Sequence, residues 1–195
     1  MDITDIGPFK KLTTPPEWRR KTLRLPQTNR MDLPVVQLIL PGKEEEMEIG
    51  ILYRGKLENE FDGENFHALL QMNKETATPV ALSPGEIRSL TRVLNLAGFN
   101  QYAFPRHITG YNPDFLLRSA QVFLLNGRPV LKVDGEFKAD INTDTFFACL
   151  YAEADNAGRK IYEIYLRATD RETYLRTLPA FRSIAESIEW VDNAK

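Results

Sequence analysis

The side chains that could do chemistry in this chain are few and scattered. His67 and His107 are its two histidines, and neither stands in a metal-ligand spacing such as His-Glu-x-x-His. A histidine without a sequence partner is most often a surface or structural residue. Cys149 is the single cysteine, and it alternates in register with Thr145, Phe147 and Tyr151. On such a strand a cysteine behaves as a small buried hydrophobe more often than as a nucleophile. Asp134, Glu136, Asp140 and Asp144 could bring oxygen ligands toward a cation, but their spacing matches no known loop, and solvated strand edges and turns account for them better. There is no P-loop, no Gly-x-Gly-x-x-Gly turn and no Gly-x-Ser-x-Gly elbow. The expectation is a protein without catalytic residues, metal or cofactor.

The elements that would have to position such residues are easier to read. Asn126-Gly127 is the best hairpin signal in the chain, because the pair tolerates the two positive φ angles of a type I′ turn. It joins expected strands at 119–125 and 128–138, and strands at 145–153 and 160–168 complete a four-strand meander. Asp134-Gly135 inside the second strand marks an expected bulge or twist. Asp170 caps a C-terminal helix whose stripe is Tyr174, Leu178, Phe181, Ala185 and Ile188, and Pro179 predicts a kink or break in it.

Upstream, Leu33–Leu40 reads as a buried strand, and Met47, Ile49, Ile51 and Tyr53 alternate as a half-buried one. The two pair across a tip holding Glu44, Glu45 and Glu46. Phe66–Met72 fits strand or helix. Ser83-Pro84-Gly85-Glu86 is a capping box opening a helix over 84–97, and 99–114 reads as an irregular connection. Residues 1–32 form a proline-rich arm that packs on the body through Ile3, Ile6, Phe9, Leu12 and Trp18. At 195 residues the expectation is one domain, 1–195, of α+β class, with a mostly antiparallel sheet flanked by helices.

Charge is uneven, though the total is only −2. Lys10, Lys11, Arg19, Arg20, Lys21, Arg24 and Arg30 make the first 30 residues basic, and residues 43–64 are acidic. Two solvated faces explain this most simply. The balance gives no reason to expect nucleic acid or an acidic membrane as partner. No apolar run is long enough to span a bilayer, and the start Met-Asp-Ile-Thr-Asp lacks a secretory signal. A cytoplasmic protein is expected if the chain is complete, and an exported one if a signal has been removed. Trp18 beside Arg19, Arg20 and Arg24 carries two readings. One is a core tryptophan locking the arm to the body, with the arginines covering a sheet edge. The other is an exposed anchor for a protein partner.

The run Asn126-Gly127-Arg128-Pro129-Val130-Leu131-Lys132-Val133-Asp134-Gly135-Glu136-Phe137 resembles the central hairpin of the PsbP-like superfamily. The tail follows the same pattern, with a strand ending in Tyr162–Leu166 and a helix finishing in Ala185-Glu186-Ser187-Ile188-Glu189-Trp190. Pro15-Pro16-Glu17-Trp18 is similar to a Pro-x-x-Trp near the start of many members. The resemblance covers residues 115–191 and implies an α/β/α sandwich with a non-enzymatic role in binding another macromolecule, as an assembly factor, GTPase partner or adaptor chaperone. It brings no metal or partner-binding residue onto this chain. The expected function is therefore a non-catalytic adaptor with a protein partner. The alternatives are a ligand carrier with a pocket between sheet and helix near Phe147 and Tyr165, and an enzyme of unrecognised type, which a cleft gathering a histidine with carboxylates would favour.

Overall fold

Alternating apolar and polar residues become strands along most of the chain. The computed structural model describes residues 1–21, 34–56, 60–72, 78–86, 114–138, 144–154 and 160–192. In chain order the elements are β1 (Asp2–Ile6), β2 (Phe9–Thr13), β3 (Arg19–Arg20), β4 (Pro34–Ile39), β5 (Met47–Lys56), α1 (Glu60–Gln71) and β6 (Val80–Ala81). They continue as β7 (Asp114–Leu125), β8 (Arg128–Lys138), β9 (Asp144–Glu153), β10 (Lys160–Ala168), α2 (Arg171–Glu186) and β11 (Glu189–Trp190). Eight strands form one sheet in the order β3-β4-β5-β10-β9-β8-β7-β6, and β1, β2 and β11 form a second, smaller sheet. Every described pairing is antiparallel. The fold is α+β.

The expected meander is β7 to β10, and its turn has φ of 50° at Asn126 and 81° at Gly127, the signs a type I′ turn needs. The irregularity expected at Asp134-Gly135 lies on the facing strand. The register slips between Leu117 and Ser119, opposite those two residues. Phe66–Met72 resolves as helix, because Phe66 and Leu70 stand one turn apart and both are buried. Ser83 and Glu86 close the capping box: the Ser83 N–H donates to the Glu86 carboxylate and the Glu86 N–H to the Ser83 hydroxyl. Residues 84–86 are helical, and the expected continuation to 97 and the connection over 99–113 lie outside the described residues.

The large sheet is buried on both faces, which corrects the half-buried reading of β5. On one face, α2 and the small sheet enclose Val36, Leu38, Ile49, Ile51, Leu150, Ile164 and Leu166 with Phe181 and Ile184. On the other, α1 brings Phe66 and Leu70 against Val122, Leu131, Val133, Phe147, Cys149, Tyr151 and Tyr165. Glu48 is correspondingly buried, in contrast to the solvated acidic face expected there. It is held by hydrogen bonds from the Gln37 amide and, at 3.1 Å, from the Tyr165 hydroxyl, with Arg167 Nε at 3.7 Å. Burial, with Glu48 beside it, pushes the Tyr165 phenol well above its ordinary pKa.

Helix α2 is continuous through Pro179, so the expected break is corrected. Pro179 is exposed. Its missing donor costs one hydrogen bond on the solvent side, where water can serve the orphaned carbonyl. Thr173 and Thr177 before it and Phe181, Ile184 and Ala185 after it share one buried stripe that holds the helix together. Asp170 caps the helix by accepting the Thr173 N–H at 2.8 Å, and that bond holds its carboxyl below the ordinary aspartate range. Asp170→Ala is expected to cost about 1 kcal/mol in urea unfolding. Because the folded pKa is the lower one, the wild-type advantage is complete above the ordinary aspartate pKa. It fades as pH falls through the depressed value, so wild type and variant should converge in acid.

Candidate functional site

Two stretches distant in sequence meet at one end of the large sheet. The β7–β8 turn supplies Asn126, Gly127 and Arg128, and the end of α2 with β11 supplies Glu186 to Trp190. A helix end leaves carbonyls without intrahelical donors. Here the Asn126 side-chain amide satisfies one, donating to the Glu186 carbonyl at 3.0 Å, and donates also to the Ile188 carbonyl just past the helix at 2.7 Å. In return, the Trp190 indole N–H donates to the Leu125 carbonyl at 2.7 Å. The Arg128 guanidinium lies 5.2 Å from the centre of the Trp190 ring, and Phe9 packs on the same ring at 5.4 Å. Ser187 adds the small sheet to this junction, accepting the Thr13 N–H at 2.8 Å and donating to the Ile184 carbonyl at 2.7 Å.

The junction is a latch: it ties the meander, α2 and the small sheet together. Beside it opens a groove of about 460 Å³ whose lining includes Leu124, Asn126, Arg128, Glu153, Trp190, Val191 and Asp192. Arg128 and Glu153 are both buried at its base. The Arg128 guanidinium donates to the Glu153 backbone carbonyl at 2.8 Å. Burial lowers its pKa from the ordinary value and nearby Glu153 opposes the shift. It stays cationic at neutral pH. The Glu153 carboxylate accepts from His67 Nδ1, 2.9 Å from both oxygens, and so ties α1 to β9.

The residues singled out from sequence fall elsewhere. Trp18 is 3% exposed and packs in the core, so it is not an exposed anchor; its indole is worth more buried against the sheet than in water. Arg19 and Arg20 are exposed on β3 at the sheet edge, and Arg24 lies outside the described residues. His107 and Asp140 also lie outside them. Cys149 is fully buried. Asp134 is bound by Ser119, Lys132 and Tyr174, and Glu136 by Arg118. Phe147 and Tyr165 are buried in the core, and neither lines the groove described at the hairpin tip.

Nothing local in the sequence linked Asn126 to Ile188 or His67 to Glu153. The one sequence signal was indirect. The turn at Asn126-Gly127 and the end of the C-terminal helix were each legible as elements, and it is these two that touch.

No protein-family model matches the chain. No curated protein matches it either. Among solved structures, it is similar to LpqN, involved in cell envelope biogenesis of Mycobacterium tuberculosis, at 12% identity and a TM-score of 0.48, over 98% of this chain and 90% of that one. A likeness at that level carries no argument about residues or activity. Among the described residues, no helix is long and apolar enough to cross a membrane.

Proposed function

We propose that this chain is a non-catalytic adaptor of PsbP-like architecture that binds a protein partner in the groove beside the latch. The observation that carries the reading is how the groove's polar groups are used. The Asn126 amide, the Trp190 indole N–H and the Arg128 guanidinium each bond to this chain's own carbonyls. They build walls. What the groove offers a visitor is shape, apolar surface at Leu124 and Val191, and the charge of exposed Asp192, which suits recognition by contact. The resemblance of residues 115–191 supports the same class of role.

Two other readings each rest on one feature. A groove of about 460 Å³ is also of a size that holds a small ligand. The imidazole–carboxylate pair of His67 and Glu153 is the arrangement an enzyme would need. Val191→Arg separates them from the adaptor. Val191 is 40% exposed, and its structural bond is made by its backbone N–H to the Pro8 carbonyl, so the substitution fills the groove and spares the fold. Affinity capture from native lysate should yield a protein with wild type and lose it with Val191→Arg at unchanged melting temperature. Identical captured proteins contradict the proposal. A small molecule that co-purifies only with wild type in native mass spectrometry supports the carrier instead.

A further inference from the structure

We propose that Asn126 is a deamidation site gated by the latch, and that its conversion unfastens the C-terminal strand from the hairpin. Asn126-Gly127 is the only Asn-Gly pair in the sequence. In such a pair the glycine backbone nitrogen attacks the asparagine side-chain carbon with no side chain in its way. Here an added Cβ on Gly127 would meet nothing within 4 Å, and both residues are exposed to the water the reaction needs. The bond formed is Gly127 N to Asn126 Cγ, and the bond broken is Cγ to Nδ2, which leaves as ammonia with the backbone proton. Water then opens the succinimide to aspartate or isoaspartate, so the net change is one water in and one ammonia out.

The latch opposes this while it is closed. Both hydrogens of the Asn126 amide are committed to the Glu186 and Ile188 carbonyls, which hold the leaving nitrogen and fix the side chain away from the turn. The reaction therefore runs from the locally opened state. Its product cannot close the latch again. A carboxylate at 126 has no hydrogen to donate, and it would face two carbonyl oxygens that have lost their donors. β11 is two residues long and is then held by its pairing with β2, the Trp190 contacts and the Val191 N–H bond to the Pro8 carbonyl, so release of its start loosens the groove wall. Age or heat would thus write a lasting change into the surface beside the groove.

The test is peptide mapping by mass spectrometry after incubation of the full chain at mildly alkaline pH. Wild type, Trp190→Phe and wild type unfolded in urea are followed in parallel at Asn126. Trp190→Phe removes the indole N–H that bonds Leu125 and keeps an aromatic ring. It should speed conversion about fivefold, the weight of one lost hydrogen bond in the opening equilibrium. The urea-unfolded chain should convert fastest. If Trp190→Phe does not fold, Asn126→Asp gives the second readout, a rise in backbone hydrogen exchange over 187–191 with the core strands unchanged. Equal conversion rates in folded and unfolded wild type overturn the gating. Exchange over 187–191 in Asn126→Asp that matches wild type overturns the release.

Discussion

Trp190→Ala is expected to remove about 3 kcal/mol of stability, toward the lower end for a tryptophan truncation because the ring is only half-buried. Three contacts go at once. The Leu125 carbonyl loses its indole donor, Arg128 loses the ring under its guanidinium, and Phe9 loses its neighbour in the small sheet. For a chain of this length the melting temperature should fall by roughly 6–12 °C. Trp190→Phe should cost only about 1 kcal/mol, since the packing survives and one hydrogen bond does not. Urea unfolding of the two variants checks the order. A loss below about 0.5 kcal/mol for Trp190→Ala would be the behaviour of an ordinary surface residue and would remove the latch from the account.

Gly50→Ala is expected to be as damaging from the other face of the sheet. Gly50 pairs with Tyr165 across β5 and β10, and a Cβ built on it would lie 2.5 Å from both Tyr165 Cζ and the hydroxyl oxygen. The Tyr165 ring cannot swing aside, because it is 2% exposed and its hydroxyl is committed to the buried Glu48. Overpacking at such a site costs about 3 kcal/mol. The glycine is there for the ring above it. Gly50→Ala combined with Tyr165→Val should therefore be less destabilised than the sum of the single variants, the sign of coupling expected for residues in contact. Additive losses would show that the clash is relieved some other way.

The regular parts of this fold were legible because they repeat over many residues. Alternation and the Asn-Gly turn placed β7 to β10 and their antiparallel order, and Asp170 placed the start of α2. Short elements were not legible. Ile3, Ile6, Phe9 and Leu12 read as packing residues, yet they belong to β1 and β2, with φ of 58° at Asp5 inside β1 and 55° at Gly7 in the turn. β3 and β11 have two residues each, too few for any period to show. Pro179 does not break α2, because the buried stripe on either side of it outweighs the local propensity of one residue. Of the two readings of Trp18, its burial selects the core one; its charged neighbours in sequence do not report burial.

The site was illegible for a stricter reason. The bonds that close it, from Asn126 to Glu186, from Trp190 to Leu125 and from His67 to Glu153, join residues 60 or more apart, and no periodicity reports a contact of that range. Gly50 makes the same point within the sheet: in sequence it fills a polar position of an alternation, and in the structure it makes room for an aromatic ring.

The adaptor reading is tested most directly by photo-crosslinking in cells of the source organism. A photoreactive side chain replaces Val191 in the groove in one strain and Leu175 on the solvent face of α2 in another, the two being 40% and 53% exposed. Light should join a single protein partner to the Val191 position and none to the Leu175 position. The same adducts at both positions, or none at Val191 while the partner still co-purifies, would place the binding surface outside the groove.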